Sequence, residues 1–228
     1  FLSTVFSIDP SRSFWSNFER MEGAVTYIHV FLLFLIATSV LSSIKDWNRF
    51  WLMNTGVSLV VAGVAIMQIL GFYEVHQGST RLDATLGNAS YLAVYMLLSI
   101  FIAGFLWLQS TNQNARRYFY PLCIIIQAFI LYKTGTRGAI LGLVFGIVVA
   151  SLFFLIRGKN RPHLRRFAVG FLIGIVALAG ILVAFKDSSF VQSSPVLSRF
   201  ANISLADRTV ISRLAIWQMS WEGFTERP

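Results

Sequence analysis

Long apolar segments without any Asp, Glu, Lys or Arg are the feature that most constrains the fold of this chain. The hydrocarbon core of a bilayer is about 30 Å thick and is crossed by roughly 20 apolar residues of helix. Backbone groups in lipid must be satisfied within the segment, and a closed barrel cannot be built from such uninterrupted runs. We therefore predict an all-α polytopic membrane protein with about six transmembrane helices, over residues 24–41, 50–70, 90–109, 118–132, 138–156 and 167–185.

Composition agrees with a membrane protein and indicates how the chain is organised. Hydrophobic residues make up 56% of the 228 residues and charged residues only 13%, against about 25% charged residues in soluble domains. We assign residues 1–185 to a transmembrane helical domain. Residues 186–228 follow it as an extracytoplasmic segment that ends in an amphipathic helix. Because the chain begins with Phe1 and ends at Pro228 without a closing element, we expect it to be a fragment lacking parts at both ends.

The distribution of Lys and Arg among the loops predicts the orientation. Loops 42–49 and 110–117 hold two cations each and loop 157–166 holds five, whereas loop 71–89 holds one and turn 133–137 holds two. The excess of positive charge marks cytoplasmic loops. Loop 71–89, turn 133–137 and the residues after 185 are therefore predicted to be extracytoplasmic. The net charge of +9 largely reflects this topology, and cations split between two membrane faces do not indicate nucleic-acid binding.

Metal and disulfide chemistry find no support in the residues. The single cysteine, Cys123, lies inside the fourth span and is predicted to be an inert small hydrophobe. No Cys/His cluster with metal-ligand spacing and no D-x-D pair occurs. We predict neither a metal site nor a cofactor.

The stretch YKTGTRGAILGL, residues 132–143, is the strongest candidate for a site. Thr134 or Thr136 can cap the fifth span, and Gly135 permits a tight turn. Arg137 then stands at a helix N-terminus, where a cation is unfavourable by about 0.3–1 kcal/mol, and Lys133 precedes it by one turn. Free N–H groups together with a guanidinium form a phosphate site. The alternative is that Lys133 and Arg137 extend to lipid headgroups.

Small residues on the spans predict close helix packing. Gly138, Gly142 and Gly146 recur on one face of the fifth span, and Gly170 and Gly174 do so on the sixth. Such faces let helix backbones approach closely in lipid. We expect them to fix the position of the fifth helix and of the turn before it.

Arg81 is a further candidate for the same site, and His76, His29 and Arg20 are weaker candidates. Arg81 has two interpretations, pairing with a nearby carboxylate or facing the same anion as Arg137. His76 lies in the same loop, and His29 lies inside the first span, where a polar residue is functional or satisfied by an interhelical hydrogen bond. Arg20 belongs to an aromatic-rich opening segment predicted to lie at the membrane interface.

Four stretches, in order, resemble those of one protein family. They are IDPSRSFWSNFERMEG, RLDATLGNASYLAVY, KTGTRGA and SRLAIWQMSWEGFTERP. The family comprises the O-antigen ligases and O-antigen polymerases, and the similarity covers most of the chain. The resemblance implies a GT-C-like helical fold and residues 186–228 as the start of a large extracytoplasmic loop.

The resemblance also implies a function in lipopolysaccharide and cell-envelope biosynthesis. Members are metal-independent membrane glycosyltransferases that take a glycan from undecaprenyl diphosphate at the outer face of the bacterial inner membrane. Their acceptors are lipid A core, a growing polysaccharide or a protein hydroxyl. The family's outer-face arginines bind the diphosphate. By motif this role is carried over to Arg137, then Arg213, then Arg81, with Lys133 beside them.

One departure from the family pattern limits what is carried over. The family's catalytic histidine lies beyond the E-R-P element, so it is expected after Pro228, and His76 does not take its role. We therefore expect the fragment alone to be inactive.

An O-antigen or exopolysaccharide polymerase is the alternative within the family, and a membrane transporter or a non-catalytic scaffold is the alternative from another class. Intramembrane carboxylates, which transporters use, are absent from the predicted spans.

Overall fold

The chain is helical throughout the part that its computed structural model describes, which comprises residues 2–17, 22–75, 81–110, 114–157, 162–185, 188 and 208–226. Within these residues there is no β-strand, so the predicted all-α class is confirmed. The helices are α1 Leu2–Val5, α2 Pro10–Trp15, α3 Ala24–Val40, α4 Ile44–Ile69, α5 Ala89–Gln109, α6 Asn114–Lys133, α7 Arg137–Arg157, α8 Pro162–Ala184 and α9 Arg208–Glu226. A short 3-10 turn, Ala84–Leu86, lies between α4 and α5.

Each predicted span coincides with one of the helices α3 to α8, and the spans 24–41, 50–70 and 167–185 each extend one residue past the end of their helix. Among the described residues, α4, α5 and α7 are long and apolar enough to cross a membrane. Ala24–Val40 and Tyr118–Lys133 are shorter apolar helices. The protein is therefore a helical membrane protein, and the total of six spans stays a prediction.

The described chain divides into two compact units, Phe1–Thr55 and Gly56–Pro228. In the first, the carboxylate of Asp9 caps α2 by accepting a hydrogen bond from the amide of Arg12 at 3.0 Å. Ser43 and Asp46 form a reciprocal cap at the start of α4, in which the Ser43 hydroxyl donates to Asp46 Oδ2 at 2.6 Å and accepts from the Asp46 amide at 3.2 Å. This polar cap explains why α4 begins before the apolar run does.

The core of the second unit lies at the end where α5 begins and α6 turns into α7, which we call the loop end (residues 81–89 and 133–137). α5 packs against both α6 and α7, and α7 packs against α8. The buried apolar cluster is formed by Ala62 and Ala65 of α4, Leu82 and Ala84 of the loop, Leu92, Ala93, Met96 and Ile100 of α5, Ile130 and Leu131 of α6, and Ala139 of α7. Because loop residues belong to this core, the loop end is a packed platform.

The predicted glycine packing is confirmed at two positions and wrong at three. A Cβ at Gly142 would lie 3.3 Å from Leu97 Cδ2, and a Cβ at Gly146 would overlap the ring of Phe101. Leu97 and Phe101 are one turn apart on α5, so α7 approaches α5 closely along this face. At Gly138, Gly170 and Gly174 a Cβ would meet no described atom within 4 Å, so these glycines mark open positions.

A buried polar contact joins α6 to α4. Gln127 Nε2 donates to Ser58 Oγ at 2.7 Å, and both residues are fully buried. In the bilayer core, polar side chains on neighbouring helices hydrogen-bond to each other because water is not available to them. The contact places α6, and hence the turn at its end, in a fixed relation to the second half of α4.

Candidate anion site at the α6–α7 turn

The turn between α6 and α7 has the tight geometry that the sequence predicts. Gly135 adopts a left-handed backbone with φ +61°, which glycine reaches without a Cβ clash. Its amide donates to the carbonyl of Tyr132 at 3.1 Å, and the amide of Ile140 donates to the carbonyl of Thr136 at 3.2 Å. Arg137 is the first residue of α7 and is half-buried, so it stands at the helix N-terminus as predicted.

Arg81 reaches the turn from the loop before α5. Its Nε donates to the carbonyl oxygen of Thr134 at 2.9 Å, and its Nη2 donates to Thr136 Oγ1 at 2.7 Å. These partners lie 53 and 55 residues further along the chain. The structure thus brings together Arg81 and the TGTR stretch, which the sequence placed only on the same membrane face.

The threonine hydroxyls of the turn are engaged with backbone groups. Thr134 is fully buried, and its hydroxyl donates to the carbonyl of Leu131 at 2.7 Å while accepting from the amide of Thr136 at 3.3 Å. Thr136 Oγ1 lies 3.4 Å from the carbonyl of Ala89, to which its single proton is donated. We call Arg81, Ala89, Thr134 and Thr136 the Arg81 junction. It joins the loop, the start of α5 and the turn.

Gln68, at the end of α4, anchors the loop that carries Arg81. Its Nε2 donates to Asp83 Oδ1 at 2.7 Å and to the carbonyl of Glu74 at 3.1 Å, and its Oε1 accepts from the amide of Ala84 at 2.9 Å. Asp83 is fully buried, and Ala84 has φ +46°, which is uncommon for a residue with a Cβ. The sequence analysis missed Gln68, although a glutamine near the end of an apolar run is the kind of residue that signals such a role.

Asn88 and Lys133 are two further polar residues near the junction. Asn88 caps α5 by accepting a hydrogen bond from the amide of Ser90 at 2.8 Å, as its type predicts. Lys133 is the last residue of α6, and its Nζ lies 5.7 Å from the centre of the Phe129 ring. A cation is favoured at a helix C-terminus and over an aromatic face. Lys133 is therefore stabilised where it stands without an added anion.

Two of the other candidate residues lie on described helices. Arg213 lies on α9, whose residues 211–226 are all exposed. His29 Nδ1 lies 2.8 Å from the carbonyl of Val25 in its own helix, and its ring is exposed. The bond that the structure shows for His29 thus lies within α3 and is not the interhelical bond that was one of its two interpretations. His76 and Arg20 lie outside the described residues, as does the His163 side chain.

Within the described residues, no group of three or more His, Cys, Asp and Glu side chains could hold a metal ion. The donors at the loop end are guanidinium, amide and hydroxyl groups. Such groups bind oxyanions. Fold and site together define a polytopic helical membrane protein with an arginine at the N-terminus of a membrane helix, held in a rigid turn.

Comparison with known proteins finds a match to one family model over part of the chain. Residues 122–228, from α6 to the end of the chain, match the family model described as O-antigen ligase. The matched region contains Arg137 and Arg213, and it confirms the resemblance to the O-antigen ligase and polymerase family. The family indicates a ligase- or polymerase-type glycosyltransferase acting on glycan and lipid-linked substrates in a bacterial membrane. No curated protein and no solved structure matches the chain.

Proposed function

We propose that this protein transfers a glycan from undecaprenyl diphosphate to an acceptor at the outer face of the bacterial inner membrane. The observation that supports this proposal is the position of Arg137, at the N-terminus of α7 inside the family-matched region. The helix dipole opposes a cation there, and a diphosphate beside it reverses the sign of that interaction.

The chemistry follows from the charge that develops during transfer. The acceptor hydroxyl oxygen forms a bond to the anomeric carbon of the donor glycan as the bond from that carbon to the diphosphate oxygen breaks. Negative charge accumulates on the departing diphosphate, and fixed donors aimed at it lower the barrier. In the proposal, the Arg137 guanidinium and backbone N–H groups at the start of α7 supply these donors. The acceptor proton goes to a base, for which the family resemblance predicts a histidine after Pro228.

Arg213 and Lys133 are secondary in this proposal. Arg213 lies in the matched region, on an exposed helix, and it would approach the diphosphate only when α9 lies over the turn. Lys133 stands one turn before Arg137 and adds positive charge at short range. We propose lipid A core or a growing polysaccharide as acceptor, with a protein hydroxyl as the third class.

The proposed function is tested by reconstituting the full-length protein in vesicles with an undecaprenyl-diphosphate-linked glycan and an acceptor. If the protein transfers the glycan, undecaprenyl diphosphate should be released and the acceptor should be enlarged by the glycan. Both products should also form in the presence of a chelator. A polymerase would instead lengthen the lipid-linked glycan itself. Movement of the lipid-linked glycan between leaflets without any transfer would support a transporter and would overturn the proposal.

The outer location makes a separate prediction about accessibility. In a Cys123→Ala background, a thiol introduced at Thr85, which is exposed in the loop, is expected to react with a membrane-impermeant maleimide in intact spheroplasts. Its matched control is Ser42→Cys, in a loop predicted to be cytoplasmic, which should react only after permeabilisation. The reverse pattern would place the turn in the cytoplasm and exclude the proposed mechanism.

A further inference from the structure

We propose that Arg81 is a positioning residue that holds the α6–α7 turn, and with it Arg137, instead of serving as a direct ligand of the diphosphate. The inference rests on the proposed function and departs from the role that the family resemblance gives Arg81. Arg81 donates to Thr134 and Thr136 at 2.9 and 2.7 Å, and both acceptors belong to the turn that precedes Arg137.

Electrostatics distinguishes Arg81 from Arg137. The Thr134 carbonyl that accepts from Arg81 lies just past Lys133, the last residue of α6, where the helix dipole is negative and a cation is stabilised. Arg137 begins α7, where the helix dipole is positive and destabilises a cation. Arg81 is therefore stabilised by the dipole of α6 and by its two hydrogen bonds, whereas the dipole of α7 opposes the charge of Arg137.

The backbone segment that carries Arg81 is itself held in place by buried contacts, so Arg81 can restrain the turn. Leu82, Asp83 and Ala84 are 6%, 0% and 1% exposed, and the side chain of Gln68 bonds both Asp83 and Ala84. Arg81 therefore extends from an anchored segment. Thr136 in turn lies 3.4 Å from the carbonyl of Ala89 at the start of α5, so the turn is held from two sides.

The geometry of the two bonds explains why arginine is needed. Nε and Nη2 lie on one planar guanidinium and donate to two acceptors two residues apart in the turn. The ammonium of lysine is a compact point charge and cannot reproduce this planar fork. A diphosphate ligand, in contrast, tolerates lysine better because the charge is kept.

The test uses Arg81→Lys, Arg81→Met, Thr136→Val and the double variant Arg81→Met/Thr136→Val in the full-length protein, with Thr136→Ser as the matched control. We expect kcat of glycan transfer to fall roughly tenfold in Arg81→Lys, Arg81→Met and Thr136→Val, with KM for the lipid-linked donor within about twofold, since small displacements of catalytic groups reduce turnover. The double variant should lose less than the product of the two single losses, because the Arg81–Thr136 bond is removed in both. Thr136→Ser keeps the hydroxyl and should retain transfer.

A second readout does not depend on activity. Hydrogen exchange of amides in residues 134–140 should quicken by about tenfold in Arg81→Met, as expected for loss of charge-assisted hydrogen bonds. Amides of residues 147–156, in the second half of α7, should exchange at the wild-type rate. This pattern identifies a local restraint and excludes general unfolding.

The outcomes separate this inference from the proposed function. If Arg81→Lys keeps transfer, if the Arg81→Met and Thr136→Val effects multiply, or if exchange in the turn is unchanged, Arg81 does not position the turn. Another outcome is that amide exchange in the turn quickens and the losses of the two single variants fail to multiply, while Arg137→Ala still transfers glycan normally. In that case Arg81 positions the turn, but Arg137 does not bind the diphosphate.

Discussion

Replacing Arg137 by alanine is expected to lower glycan transfer by about 10²–10³-fold, the loss typical of removing one donor from a preorganised anion site. The half-buried guanidinium at the first residue of α7 is the group best placed to meet charge developing on the diphosphate. The measurement is the rate of acceptor glycosylation at saturating lipid-linked donor, with protein amount matched by immunoblot. Because the removed interaction strengthens during bond breaking, kcat should fall more than KM rises.

The matched control is Arg157→Ala, at the other end of the same helix. Arg157 is exposed and belongs to the loop with the largest cation count, so its loss should leave transfer within about twofold, as for most surface changes. Arg137→Lys adds a further distinction, since it keeps the charge without the bidentate fork. In a diphosphate site, Arg137→Lys should keep part of the transfer that Arg137→Ala loses. If Arg137 only extends to lipid headgroups, both substitutions will cost little, and the diphosphate site is then refuted.

Substituting leucine for Gly146 is expected to destabilise the second unit by about 1–3 kcal/mol, the usual cost of overpacking a filled contact. A Cβ at this position would overlap the Phe101 ring, with a second ring atom at 3.0 Å and a third at 3.2 Å. The remaining atoms of leucine require α7 to move away from α5. We expect a lower midpoint of thermal unfolding in detergent, lower yield of monodisperse protein, and reduced transfer because the N-terminus of α7 moves as well.

Gly174→Leu is the comparison for this substitution. Gly174 lies in α8, where a Cβ would meet no described atom within 4 Å, so the added side chain should face lipid and leave stability within about 0.5 kcal/mol. A Gly146→Leu protein that unfolds at the wild-type midpoint would show that the α5–α7 contact does not limit stability. An equal fall in the unfolding midpoint of both variants would indicate instead that any large side chain at a glycine of these helices destabilises the protein.

The helices themselves were predictable because hydrophobic runs of this length leave little choice in lipid. Their ends were less predictable. α4 begins at Ile44 because Ser43 and Asp46 cap it outside the apolar run, and α6 begins at Asn114 in a polar stretch. Hydropathy measures the apolar run, whereas the start of a helix depends on where its first amides find hydrogen-bond acceptors.

Helix packing and the partners of polar side chains were also only partly predictable from the sequence. A four-residue glycine spacing defines a face, but only the neighbouring helix decides which glycines are contacted, and Gly138 lies beyond the contact that Gly142 and Gly146 make. His29 satisfies itself within its own helix. Arg81 could be recognised as a cation on the same predicted face as Arg137, but its bonds to Thr134 and Thr136 required the fold, since 53 residues separate the first pair.

The Arg81 junction also dictates an order of events during biogenesis. Residues 81–89 leave the ribosome well before Thr134 and Thr136, so α4, α5 and the loop between them enter the membrane while the later acceptors of Arg81 do not yet exist. The Arg81 guanidinium therefore gains its two acceptors only after α6 has been synthesised. Arg137 follows these acceptors directly, so the turn before it is fixed soon after Arg137 is added. The diphosphate site that we propose at Arg137 would thus be complete only once Arg81 has met the turn.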